Sequence, residues 1–446
     1  MQKPEKVIKK FEWLRTFYVW IGALAVLGGA WAFLFPLAIT ANFGKDGDGA
    51  ALRQMLIYTT GGVLGVITLG ENHRKNSLEK AKNDQDHTRQ VHAERRSRYT
   101  KAIEHLFNEN ISVRLGGVYT LAGLADEWLS DEKTLPNEEE RRKETQNIIN
   151  NLCAYIRSSF DLVSKTEVLY MDKAPKNYEG GIQQFTKDQA RFRKEIELRL
   201  AILEAIKTRL NDGITTQEDG TKKLLKGLWS DFNYDFSNAI FFYPANFSNS
   251  LFGAFSNFSG AKFDEYAEFS RAEFTGKADF SGAKFTEAIF SEAKFTEAKF
   301  TEAAFTYYAI FFGAKFTHYA IFSGVKFTNH ASFSKVKFTQ GADFSWATFN
   351  RYTHFSGAEF TGKADFSRAK FDEKPIFEYA LDSEIYKARF SYKADPEDYN
   401  FKVSDNSRYK IETEEKEYNG TKFIIPKDAE LFDPDEPSEQ GNNDDS

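Results

Sequence analysis

The stretch AKFTEAIFSEAKFTEAKFTEA, Ala283 to Ala303, decides the fold of the C-terminal half. Phe285, Phe290, Phe295 and Phe300 stand five residues apart, with Ala two residues before each and Thr or Ser directly after. Five-residue steps would scatter Phe around a helix, whose residues advance by about 100° each. They do not fit an ordinary strand either, because its side chains alternate with period two. A chain that turns a corner every five residues satisfies the pattern, with one Phe and one Ala pointing inward from each short face. Thr, Ser and Phe suit extended backbone, and small residues suit corners.

Outward from this stretch the spacing persists. A ladder of 27 Phe runs from Phe236 through Phe242, Phe247 and Phe252 to Phe377, each five or six residues from the last. Its central core positions are Phe247, Phe258, Phe269, Phe280, Phe290, Phe300, Phe311, Phe322, Phe333, Phe344, Phe355 and Phe366. Numbered from Phe236, the six-residue steps fall first, fourth, sixth and eighth, and then on even steps from the fourteenth. The spacing alone allows two faces or four; with the four that the family resemblance below implies, even steps mark two opposite corners, and the extra residue bulges at the same two corners in coil after coil. The residue three after Phe then stacks along the rod. One corner carries Tyr266, Tyr308, His330, Tyr352 and Lys374, a candidate interaction ridge. The other carries Lys277, Tyr319, Gly341 and Lys363. A bulge also tolerates any large polar residue, and scattered surface aromatics are normal.

The repeated A-x-F-[ST]-x resembles the pentapeptide-repeat family in its Phe-rich form. The resemblance implies a right-handed quadrilateral β-helix over 236–377, with the central residue of each unit in the core. The ends of such a solenoid need covers, because open edges pair with other chains. The helix ending near Leu210, or the segment up to Tyr234, is placed to cover the first coil. Residues 378–437, with a hairpin turn at Asn419-Gly420, form a C-terminal β cap, and 438–446 read as a disordered acidic tail.

Before the rod, helical spacing in Ile111–Ala125, in roughly Glu138–Arg157 and from about Gln183 to Leu210 predicts a small α-helical module over 98–230. Its segment ISVRLGGVYTLAGLA (Ile111–Ala125) resembles a HEAT-like unit. Residues 71–97 are polar and charged, a helix or linker.

The N-terminal region reads as a transmembrane hairpin. Residues 17–41 contain no charge and exceed the about 20 apolar residues that a span needs. A second uncharged run covers 54–70. Lys and Arg flank the pair, in 1–16 and after 70, while the loop 42–53 carries two. By the positive-inside rule both termini are cytoplasmic, in a multi-pass protein of the inner or plasma membrane with the loop outside. Gly61 and Gly65 form a small-xxx-small pair through which membrane helices associate into oligomers.

No chemistry stands out. The seven His form no HExxH or Cys/His pattern, no phosphate-binding Gly motif is present, and Cys153 is the single cysteine. No enzyme activity, cofactor or metal is expected. The reading is a membrane-anchored, non-catalytic scaffold with an unidentified cytoplasmic or membrane protein partner. The resemblance also raises a DNA mimic acting on a topoisomerase. A mimic should be strongly negative, whereas 236–377 holds 15 Lys and Arg against 14 Asp and Glu. No nucleic acid partner is expected on that balance. A third alternative is an accessory subunit of a membrane channel or transporter.

Overall fold

The computed structural model describes residues 48–217, 220, 222–381 and 384–436, with scattered positions between 20 and 34. The chain divides into two units, residues 1–94 and 95–446. The first contains most of a long helix, Asp48–Leu106. Its surface is held by local pairs such as Arg74 Nη2 to Glu71 Oε1 at 3.1 Å.

The transmembrane hairpin is corrected. Among the described residues no helix is long and apolar enough to cross a membrane. The multi-pass placement and its topology therefore lose their basis. The run Gln54–Gly70 lies inside the helix Asp48–Leu106, and its Thr59, Thr60, Gly61, Gly62, Gly65 and Thr68 dilute its hydropathy. The expected outer loop, 42–53, is helical from Asp48 onward. The segments 1–16 and 438–446, and most of 17–41, lie outside the described residues.

The second unit begins with packed helices. Ile111–Ser130 starts at Asn110, whose side chain accepts from Ser112 N, so one orphan donor of the first turn is satisfied. Glu138–Arg157 starts at the N-cap Asn137, with three Glu in its first turn and Arg157 in its last, which suits the helix dipole. Ile148, Ile149, Leu152, Cys153 and Ile156 form its buried stripe. Gly181–Lys207 buries Phe185, Phe192, Leu198, Ile202, Leu203 and Ile206. Leu200 lies off that buried face and is exposed.

From Tyr234 the chain becomes a β-solenoid of about 6 turns. Strands of successive coils pair in parallel, as Phe263 with Phe285 and Phe285 with Phe305. Each coil contributes one Phe to each of four internal rows. The first row runs Phe241, Phe263, Phe285, Phe305, Phe327, Phe349, Phe371. The second runs Phe247, Phe269, Phe290, Phe311, Phe333, Phe355, Phe377. The third runs Phe252, Phe274, Phe295, Phe316, Phe338, Phe360, Phe390. The fourth runs Phe236, Phe258, Phe280, Phe300, Phe322, Phe344, Phe366, Phe401. Ring centroids within rows lie between 4.5 Å, at Phe241–Phe263, and 5.7 Å, at Phe366–Phe401. That separation is close to the strand spacing of about 4.8 Å. The backbone pairing thus sets the ring stacking.

One rung differs from the sequence expectation. Phe241 occupies the first row, and Phe242 turns toward the helices, 5.6 Å from Phe160 and 5.5 Å from Phe192. The helical module needs an apolar contact on the first coil, and adjacent residues of a strand point to opposite sides. With Phe241 in the row, the first six-residue step becomes the second, and six-residue steps fall only on even places.

The corners are of two kinds. After the second and fourth rows the chain makes tight turns, as where Ala283 N donates to Phe280 O at 3.0 Å. The third residue of that turn is left-handed, Gly282 at φ 65°, as in a type II turn. After the first and third rows lie wider corners, and the bulges fall there. The register shifts after Phe285 against both neighbouring coils, and after Phe295 against the preceding one, because the coil from Phe280 to Phe300 lacks the extra residues.

Both ends are covered. At the start, Leu251 N donates to Leu210 O (3.0 Å) and Trp229 N to Arg209 O (2.8 Å). Buried Trp229 also donates from Nε1 to Asp126 Oδ1 at 2.9 Å. At the far end Phe390 and Leu431 continue the third face. The hairpin Thr413–Tyr418 with Thr421–Pro426 turns at Asn419 and Gly420, both left-handed, and buries Phe423 and Ile425.

Candidate functional site

The bulged corner after the first Phe row carries the most aromatic surface of the expected site residues. Pairing places Glu287 opposite both Tyr266 and Tyr308, and Tyr308 opposite His330. Ala331 pairs with Thr353, which sets Tyr352 beside His330. The His354–Ile376 bridge sets Lys374 beside Tyr352 in turn. The five residues therefore share one row, but Glu287 separates Tyr266 from the rest.

Only part of the row is in ring contact. Tyr308 lies 6.2 Å from His330. His330 then turns to His354 of the next coil, at 5.4 Å, and His354 reaches Tyr379 at 6.1 Å. Burial lowers both imidazoles from their ordinary value, and His330 lowers His354 further. Tyr352 is 59 % exposed. Tyr266 is held differently: burial and its hydrogen bond to Glu268 push its phenol well above the usual range.

Sequence reasoning missed His354 and Tyr379. His354 immediately precedes Phe355, an outward position two residues beyond the corner. The available signal was period-two alternation within each face. It also missed Lys335, whose ammonium lies 5.7 Å from the Phe312 ring and 4.4 Å from the Tyr386 ring. Those distances are within cation–π range.

The opposite bulged corner is polar and structural in character. Lys277 pairs with Glu297 at 3.9 Å, and Lys363 with Asp365 at 3.3 Å. The Tyr319 phenol is pushed up to about 12, by burial first and then by Asp343. Gly341, at φ 143°, could not carry a Cβ without bringing it to 2.7 Å from Lys363 O.

In the helical module a buried ionic cluster faces the first coil. Arg199 Nε donates to Glu195 Oε1 at 2.8 Å, and its Nη1 to Ile156 O at 2.7 Å. Arg114 Nη2 reaches Glu195 Oε2 at 2.7 Å. Burial raises the Glu195 carboxyl, but the two guanidiniums outweigh it and leave the carboxyl below its ordinary value. The Arg199 guanidinium also lies 5.2 Å from the Phe242 ring. Each charge is paired, as buried charges must be, and the cluster joins helices to rod.

A groove of about 360 Å³ is lined by Arg95, Arg96, Tyr99, Trp128, Glu144, Asn147, Ile148, Asn150 and Asn151. Its lining offers no nucleophile beside a base. Cys153 is buried, and its thiol is pushed up to about 12 by desolvation, so it is not an activated thiolate. Among the described residues no three His, Cys, Asp or Glu are placed to hold a metal ion.

With this geometry in view, residues 258–304 and 311–359 match the family model for pentapeptide repeats (9 copies). Over those residues the rod is built of pentapeptide repeats. The matched residues include both bulged corners and all four Phe rows. No curated protein matches the chain. A pentapeptide-repeat solenoid is a structural repeat fold.

Proposed function

We propose that this chain is a non-catalytic scaffold, with the pentapeptide-repeat rod as a protein-interaction surface. One observation carries the reading. The inward positions repeat Phe and Ala coil after coil, while one outward row changes freely through Tyr266, Glu287, Tyr308, His330, Tyr352 and Lys374. The core sets the lattice, and each outward row offers side chains at one coil spacing on a rigid support. Tyr308, on the strand Ala304–Ile310, and Tyr352, at the corner just before the strand Thr353–His354, are large and exposed, and Tyr is a residue type that anchors interfaces. The ridge Tyr266, Tyr308, His330, Tyr352 and Lys374 is the proposed contact surface.

The test is site-specific photocrosslinking in the native cell, with a photoreactive residue at Tyr308 or Tyr352 and a control at Lys284 on another face. Discrete protein adducts from the ridge and none from the control support the scaffold. Equal or absent adducts at all three positions would count against it.

A further inference from the structure

Averaged over the rod, charge is nearly balanced, but it is not evenly spread. Residues 303–358 hold five Lys and Arg and three His against a single carboxylate, Asp343. Residues 236–302 hold six Lys and Arg against nine Asp and Glu. The excess of cations is thus confined to a belt of coils near the middle of the rod.

On one face of this belt the cations meet aromatic rings. Ala309, Phe311, Ala331, Phe333, Thr353 and Phe355 point inward and are buried, so the residues between them point out. Those are Tyr308, Ile310 and Phe312 in one coil, His330, Ser332 and Ser334 in the next, and Tyr352 and His354 in the third, where Ser356 is buried. Tyr308, Phe312 and Tyr352 are 49 %, 42 % and 59 % exposed. Lys335 stands at the turn beside Phe312. Around that turn, Lys315 lies in register between Lys294 and Lys337. Like charges directly opposite on neighbouring strands are unfavourable. Lys294 is relieved by Glu273 and Lys337 by Glu359, but among the described residues Lys315 and Lys335 have no carboxylate partner. An acidic surface would use the cations and leave the exposed rings unexplained. An apolar partner would use the rings and leave the missing carboxylates unexplained. A ligand that alternates anions with flat aromatic rings uses both, and stacking platforms beside basic residues are how single strands are held. In duplex DNA or RNA the base faces are already stacked and out of reach of these rings.

We infer that the face formed by Tyr308, Phe312, Lys315, His330, Lys335 and Tyr352 binds single-stranded nucleic acid. The inference does not rest on the scaffold reading, because protein crosslinks test that reading and oligonucleotide binding tests this one.

The experiment is fluorescence anisotropy of the full chain with labelled 15-nucleotide oligo(dT) and oligo(U), and with a 15-base-pair duplex. Single strands should bind in preference to duplex, with a log–log salt slope of about −2 from two or three phosphate contacts. Tyr308→Ala with Tyr352→Ala should weaken binding by roughly tenfold or more. Lys315→Glu with Lys335→Glu should weaken it and flatten the salt slope, while Lys284→Glu should change little. Unchanged thermal melts by circular dichroism show that the variants are folded. Duplex binding as tight as single-strand binding, Tyr variants without effect, or no oligonucleotide binding at all overturns the inference. Binding of poly-L-glutamate through the same lysines, without oligonucleotide binding, overturns it in favour of an acidic protein partner.

Discussion

The ring of Phe241 lies over that of Phe263 with centroids 4.5 Å apart and planes 4° from parallel. This contact begins a row that passes through every later coil. The rings stack because parallel pairing places equivalent residues one strand spacing apart. Rings of neighbouring rows also meet edge-on, as Phe300 does with Phe311 at 88°, a favoured aromatic geometry. Phe300→Ala should therefore open a cavity with no flexible neighbour to fill it. The expected loss is about 3–5 kcal/mol, read from urea unfolding monitored by circular dichroism. A loss below about 1 kcal/mol would mean that the rows do not carry the rod's stability.

Glu302 adopts a left-handed conformation, φ 58°, in a turn row whose neighbours are Gly282 and Gly324. A side chain there costs roughly 1–2 kcal/mol against glycine, partly offset by the greater freedom of glycine in the unfolded chain. Glu302→Gly should stabilise the protein by up to about 1 kcal/mol, seen as a raised thermal midpoint.

Gly341 is the reverse case. Its φ of 143° disfavours any side chain, and a Cβ would meet Lys363 backbone at 2.7 Å. Backbone between two paired coils cannot give way cheaply. Gly341→Ala should destabilise by about 2 kcal/mol or more, and Gly282→Ala, where nothing lies within 4 Å of the added carbon, should cost less. Equal losses in the two variants would show that conformation, rather than contact, sets the cost.

Glu195 should make stability depend on pH. Its carboxyl is lowered in the folded chain, so the unfolded chain binds the proton more readily. The stabilisation is fully present above the unfolded carboxyl value of about 4.3 and is lost as pH falls through the lower folded value. Asp131, held at about 2 by Thr134 and Arg95 against the opposing effect of burial, adds to the same acid limb. At neutral pH Glu195→Gln should cost about 3–5 kcal/mol, because it leaves Arg199 buried without its charge partner. Chemical denaturation between pH 7 and 3 should show the variant with a flatter acid limb than the parent. An unchanged limb would assign the acid loss to other carboxylates.

Protonation of His330 and His354 should act in the same direction, at higher pH. Both are lowered by burial and lie ring to ring. Neutral rings are favoured in the fold, so stability should fall as pH drops below the unfolded His value of about 6.5. His354→Asn should remove part of that slope, measured between pH 7.5 and 5.5.

What the sequence determined by itself is the interior of the rod. Core selection in a solenoid is local: Ala, one spacer and Phe mark the inward positions within a few residues, and repetition averages out error. The bulged corners were legible for the same reason, since an inserted residue shifts the count. Tertiary structure decided what depends on contacts about one coil apart or on a second domain. Phe241 and Phe242 are identical neighbours, and only the helices packed on the first coil decide which one turns outward. Tyr308, His330, His354 and Tyr379 meet because pairing brings separate coils together, and the plain five-step coil sets Glu287 between Tyr266 and the rest. The N-terminal reading failed for a related reason. Absence of charge from 54–70 suggested a span, but Thr and Gly dilute that run, and among the described residues no helix is long and apolar enough to cross a membrane.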